Sequence, residues 1–212
     1  MKLLIRSSDM KPKIKILTWG LPGSGKTHFG LSAPKPLVID TERGCEAFFN
    51  RFEFDLLSLP TLDQIELTVK KLQEGGYESY ETLVIDSLTG LEGLYVEKHT
   101  RGERTSLAEW GVIKPKLDKL MKRIVSLPLN LICTARSQNM WDTRAFKLIG
   151  TRPHIQKNVS AYYFDIIGKL ERRNGQAPNI ALNKSRFQLP QKIEGISFEK
   201  LQSLVYNKEA IR

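Results

Sequence analysis

The chain has 212 residues, 41% hydrophobic and 26% charged, enough for one domain with a full core and too few for two. Lys and Arg number 33 against 23 Asp and Glu, a formal net charge of +10, so polyanionic partners are expected, nucleic acid first and acidic membrane second, unless the excess is only a solvated surface. No stretch approaches the ~18 apolar residues of a membrane helix, the opening MKLLIRSSDM has too short an apolar run for a signal peptide, and the two cysteines, Cys45 and Cys133, fall outside any C-x-x-C, which argues against a zinc or redox pair and fits a reducing cytoplasm.

In chain order, residues 1–12 read as an N-terminal arm and 13–212 as a single domain. KIKILTW (13–19) is strand-like and Gly20 breaks it. A helix starts near Lys26, runs from Thr27 to Ser32, and stops at APKP (33–36). PLVID (36–40) is a short apolar run of buried-strand type. Residues 62–76 carry Ile65, Val69 and Leu72 at helical spacing and stop at Gly75-Gly76. TLVIDS (82–87) is the next strand, followed by a helix to about His99 and a charged loop. Residues 107–127 read as a helix, with Pro115 as its start or a kink. LNLICTA (129–135) is a further strand with Cys133 as a small buried hydrophobe, 137–153 a loop or hairpin, 161–172 and 179–185 late strands, and 197–207 a capped C-terminal helix. Strands that alternate with helices predict an α/β fold, with a mostly parallel central sheet flanked by helices and a C-terminal antiparallel extension.

Residues Gly20 to Thr27, GLPGSGKT, fit G-x-x-x-x-G-K-[ST] between a strand and a helix. Gly20, Gly23 and Gly25 let the backbone turn its N–H groups inward around a phosphate, with Leu21, Pro22 and Ser24 completing the loop and His28 following it. Lys26 supplies a mobile ammonium for the outer phosphates and Thr27 a hydroxyl for Mg²⁺. Asp86, at the end of the apolar run LVID, is placed to meet Thr27 and the water shell of that ion. Hydrolysis needs a carboxylate that orients water. Asp40 and Glu42 stand two apart at the tip of the second strand, and the longer Glu42 is the candidate base, with Asp40 structural. ATP and Mg²⁺ are the ligands this set implies.

GLPGSGKT, a strand ending in VIDTERG, and then LVIDS together resemble the RecA-like P-loop ATPase core. In that superfamily the catalytic glutamate follows the second strand, as Glu42 does, and the residue after Asp86 is Ser87 rather than Glu, unlike the AAA+ arrangement. SAPKPLVIDTERG, VIDSLTGLE, EWGVIKPKLDKLMKRI and LNLICTARSQN resemble short phage and prophage proteins of this class, known as nucleotide-binding or AAA-type ATPases, some of them single-strand annealing recombinases. The resemblance covers residues 12–190. It implies a polar γ-phosphate sensor, commonly Gln, after LNLICTA; Arg136 holds that register and Gln138 lies two beyond, so either could sense. Lys184-x-Arg186 resembles the K-x-R fingers that reach a neighbouring subunit's nucleotide, which implies a homo-oligomer and leaves ring, filament and monomer open. RecA-like proteins place DNA loops where this chain has Lys98, Arg101 and Arg104, and again where it has Arg136, Arg144, Lys147, Arg152 and Lys157 interleaved with Trp141 and Phe146. Cations neutralise phosphates and aromatics stack on bases, unless the aromatics belong to a packed hairpin. The implied function is ATP-driven single-stranded DNA binding for annealing or strand exchange, with a single-strand-binding protein an open partner. A small-molecule or nucleotide kinase, with Arg101 and Arg104 on a lid, and a non-hydrolysing ATP-switched assembly subunit are the alternatives.

Overall fold

The computed structural model describes residues 12–155, 162–172 and 176–206. All but Pro12 of the expected arm, and Lys157 of the basic set, lie outside the described residues. The strands are β1 (Lys15–Gly20), β2 (Pro36–Asp40), β3 (Asp55–Ser58), β4 (Thr82–Asp86), β5 (Asn130–Asp142), β6 (Lys147–Pro153), β7 (Ile166–Glu171), β8 (Asn179–Ser185) and β9 (Lys192–Ile193). They form one sheet in the order β3-β2-β4-β5-β1-β7-β8-β9, with β6 pairing β5. From β3 to β7 every pairing is parallel; β8, β9 and β6 are added antiparallel. The expected α/β layout, mostly parallel with an antiparallel C-terminal extension, is the one observed.

Helices α1 (Lys26–Leu31), α2 (Leu62–Lys71), α3 (Leu88–His99), α4 (Leu107–Val125) and α5 (Phe198–Tyr206) cover the sheet. Parallel strands covered on both sides read as near-continuous apolar runs, and all residues of β1, β2 and β4 are buried. Ile16, Val38, Val84 and Ile132 pack with Phe29 of α1 and Phe198 of α5. Leu17, Ile39, Leu83, Ile85 and Cys133 face the other way, against Ile65 of α2, Leu91 of α3 and Leu117 of α4. Each such side chain contributes about 1.5–3 kcal/mol by leaving water. Among the described residues no helix is long and apolar enough to cross a membrane.

Of the elements that depart from expectation, three bear on the site and its frame. Strand β3 is half exposed at the sheet edge, so it carries no apolar run to find. Helix α4 does not start at Pro115, which lies inside it: it begins at a capping box in which Ser106 and Glu109 bond each other's backbone amides, and the carbonyl left unbonded by Pro115 belongs to exposed Gly111. Strand β5 does not stop at Ala135. Its first six residues are buried, and from Arg136 it continues beyond the core as one arm of the β5–β6 hairpin.

One buried charge serves the fold. Lys15 is 9% exposed, and its Nζ donates to the carbonyls of Leu127 (3.0 Å) and Leu129 (2.5 Å), fastening the turn between α4 and β5. Burial pushes its pKa down to about 8, opposed by Asp165. The unfolded chain keeps this proton to its ordinary value of 10.5, so between pH 8 and 10.5 the unfolded state binds more protons and stability rises with pH. Below pH 8 the cost of the buried ammonium is fully present. Relative to Lys15→Met, the wild type should gain about 3 kcal/mol from pH 8 to 10.5, at ~1.4 kcal/mol per pH unit. Denaturant titration of both proteins at the two pH values measures this; a constant difference would mean that the ammonium is not desolvated.

Candidate nucleotide site

At the C-terminal end of β1 the chain turns through Gly23 (φ 77°) and Gly25 (φ 93°), both in the left-handed region that L side chains avoid, before α1 begins. This backbone is the one the phosphate-cradling motif requires. The Lys26 ammonium curls over the loop and donates to the carbonyls of Gly20 (3.1 Å) and Leu21 (2.9 Å). Burial lowers its pKa, while Asp86 and Glu42 oppose that shift, so both carboxylates lie in its field. The ring of His28, counted with the loop from sequence, packs edge-on against Phe52 (5.1 Å) and Phe48 (6.3 Å) on the segment after β2, and burial lowers its pKa.

Asp86 ends β4 and is 5% exposed. It accepts from Thr27 Oγ1 at 2.6 Å and from Thr134 Oγ1 on β5. Burial raises its pKa; the two hydroxyl bonds work against that and nearby Asp40 and Glu42 add to it. The fields of Asp40 and Glu42 at this buried carboxylate favour a cation beside it. A Cβ on Gly44 would stand 3.7 Å from Thr27 Oγ1 and 3.9 Å from Asp86 Oδ2, so this glycine keeps the space over both oxygens clear. Among the described residues no three His, Cys, Asp or Glu side chains gather to hold a metal alone. One hydroxyl and one carboxylate suit Mg²⁺, which keeps waters and takes its remaining ligands from a nucleotide.

Asp40 is fully buried and accepts from the amides of Glu42 (2.9 Å) and Cys45 (2.8 Å), which fixes the turn that carries Glu42. Glu42 Oε1 accepts from Ser87 Oγ and, at 2.9 Å, from Arg136 Nε. The side chains of this ion pair are 27% and 60% exposed, so the pair contributes at most about 1 kcal/mol and separates readily. The Arg136 amide bonds Thr89 Oγ1 (3.0 Å), the same hydroxyl donates to the carbonyl of His154 (2.9 Å), and the His154 amide donates back to the Arg136 carbonyl (2.8 Å). A chain of bonds therefore runs from Glu42 through Arg136 to the base of the hairpin.

A family model described as an AAA domain matches residues 12–190. The chain belongs to this AAA domain family. A crystal structure of the RadB recombinase superposes with a TM-score of 0.51 at 17% identity, over 87% of this chain and 85% of that one, a likeness of fold alone. No curated protein matches in sequence. The AAA domain thus has a RecA-like fold built on a nucleotide-binding ATPase core.

Within this AAA domain the expected site residues divide in space. Gly20 to Thr27, Glu42, Asp86 and Arg136 come together. Gln138 stands on β5 opposite Arg152 of β6. Lys184 and Arg186 do not join them: β8 runs antiparallel and carries them toward the end where β1 begins, about 10 Å or more from the loop. There Lys184 donates to the Phe164 carbonyl, and Arg186 pairs with Asp165 (3.0 Å). Arg101 and Arg104 are exposed between α3 and α4, and Lys98 pairs with Asp63 at the start of α2. The hairpin holds Trp141 (58% exposed) and Phe146 (87% exposed) with exposed Arg144 and Lys147, so its aromatics are not packed. Arg152 differs from these cations, since its Nε is buried and has no hydrogen-bond partner among the described residues.

Ser87, Thr89, Thr134, Gly44 and Gly90 shape the site and were missed. Ser87 has a local signal, because its side chain caps α3 through the Gly90 amide. The other four depend on contacts distant in sequence.

Proposed function

We propose that this chain is a Mg²⁺-dependent ATPase that binds single-stranded DNA on its β5–β6 hairpin and supports annealing or strand exchange in phage recombination. The observation that carries this reading is the bond chain from Glu42 through Arg136 to Thr89 and His154, which ties the candidate water-orienting carboxylate to the base of an exposed aromatic and basic hairpin. Loop amides and Lys26 hold the phosphates; Thr27 and Asp86 would hold a Mg²⁺ ion, whose chemistry would be to neutralise charge on the outer phosphates. When a terminal phosphate competes for Arg136, the weak pair with Glu42 opens. Glu42 then orients and deprotonates water, and the movement of Arg136 is felt at the hairpin. Bases stack on Trp141 and Phe146 while Arg144 and Lys147 take the DNA backbone. Assembly through Lys184 and Arg186 requires Arg186 to leave Asp165 of its own chain.

ATP turnover should rise with single-stranded DNA at low salt and lose that stimulation as salt rises. Trp141→Ala should weaken binding of an oligothymidine by about 1–3 kcal/mol, read by fluorescence anisotropy. Unchanged affinity in this variant would remove the hairpin from the DNA site, and turnover indifferent to DNA but dependent on a small acceptor would replace the reading with a kinase.

A further inference from the structure

Arg152 lies on the strand returning from the hairpin, where its sequence neighbourhood suggests a DNA contact, but its placement points elsewhere. The β5–β6 register sets it opposite Gln138, and opposed residues in an antiparallel pair share a face. Gln138 is two residues beyond Arg136, so Arg136, Gln138 and Arg152 share one face. Lower on β5 that face carries Ile132, packed with Phe29 of α1, and Thr134, bonded to Asp86. At the level of Arg136 it reaches Glu42. The face is therefore that of the nucleotide loop. Arg144 and Lys147 are exposed toward the hairpin tip, whereas Arg152 is half-buried with an Nε that has no hydrogen-bond partner among the described residues. A buried guanidinium N–H without an acceptor is costly, and the group that suits its fork is an oxyanion. Two residues along, His154 is bonded to Arg136 and Thr89, which holds this part of the strand beside the site.

We propose that Arg152 is a second oxyanion-binding residue of the nucleotide site, taking the terminal phosphate of a nucleoside triphosphate alongside Arg136, rather than a DNA contact. This rests on the nucleotide reading above. Arg136 is already engaged by Glu42, so a second guanidinium lets the site hold a triphosphate without depending on that pair alone. It also makes discrimination between triphosphate and diphosphate a property of the hairpin base.

The test measures affinities for ADP, a non-hydrolysable ATP analogue and an oligothymidine in wild type, Arg152→Ala and Arg152→Lys. Lys keeps the charge and stem but lacks the Nε–H. In both variants the preference for the triphosphate should fall about tenfold while ADP affinity, which also reports a folded loop, and nucleotide-free DNA affinity stay at wild-type values. If both variants keep the preference and lose DNA affinity, a DNA phosphate is the oxyanion and the assignment is overturned while the ATPase reading stands. If wild type binds neither nucleotide, the ATPase reading falls and this assignment with it.

Discussion

Glu42→Gln should lower ATP turnover by about 10²–10⁴-fold, the usual contribution of a positioned general base, while nucleotide binding persists. The amide keeps the shape of the carboxylate and can still accept from Ser87, but it cannot take a proton from water. It also loses the ion pair with Arg136. In the proposed role of Arg136, release from this pair frees the guanidinium for a terminal phosphate, so triphosphate affinity in the variant should equal or exceed that of wild type. Phosphate release and binding of a fluorescent nucleotide measure the two quantities. Turnover at the wild-type rate would remove Glu42 from the base role; loss of binding would make it a structural residue of the loop.

Gly90→Ala should have the second-largest effect, for a steric reason. A Cβ at this position would stand 2.2 Å from Thr41 Oγ1, 2.9 Å from Thr41 Cβ and 3.6 Å from Glu42 Cγ. Thr41 Oγ1 donates to the Ser87 carbonyl (3.0 Å) and accepts from the Ser87 amide (2.9 Å), which braces the tip of β2 against the tip of β4. The added methyl must push Thr41 aside, break that brace and shift Glu42. Overpacking of this kind costs about 1–3 kcal/mol, and turnover should fall at least about tenfold, since each ~1.4 kcal/mol of lost transition-state stabilisation is tenfold in rate. The double variant Thr41→Ala/Gly90→Ala removes the shortest clash and should regain part of the stability. Thermal melting and turnover of the three proteins test this, and a Gly90→Ala protein as stable and active as wild type would refute the close approach.

Much of the site was legible because two of its parts are local. The loop needs glycines, Lys26 and Thr27 at fixed spacing in a single turn, and Asp86 ends a short apolar run of buried-strand type. The fold class followed from the same runs. What was illegible depends on pairing across the sheet. Arg136 and Glu42 are 94 residues apart and meet because β2 and β5 both flank β4. The direction of β8 decides at which end of the sheet Lys184 and Arg186 lie, and an apolar run reads the same in either direction. Gly44 and Gly90 matter for the atoms opposite them, which a sequence does not display. Trp141 and Phe146 could be packed or bare on sequence grounds, and only their exposures separate the cases.

Strand β5 is clamped along its lower half between β1 and β4 and overhangs beyond them, where among the described residues β6 is its one strand neighbour. Mechanically it is a cantilever with its fulcrum at Arg136. Trp141 lies five residues out, on the order of 17 Å at ~3.4 Å per residue. A tilt of about 5° at the fulcrum would sweep the tip through about 1.5 Å, more than the stretch that breaks a hydrogen bond. Two residues added to the overhang would lengthen the sweep and keep each side chain on its face, whereas one residue would turn Trp141 to the opposite side.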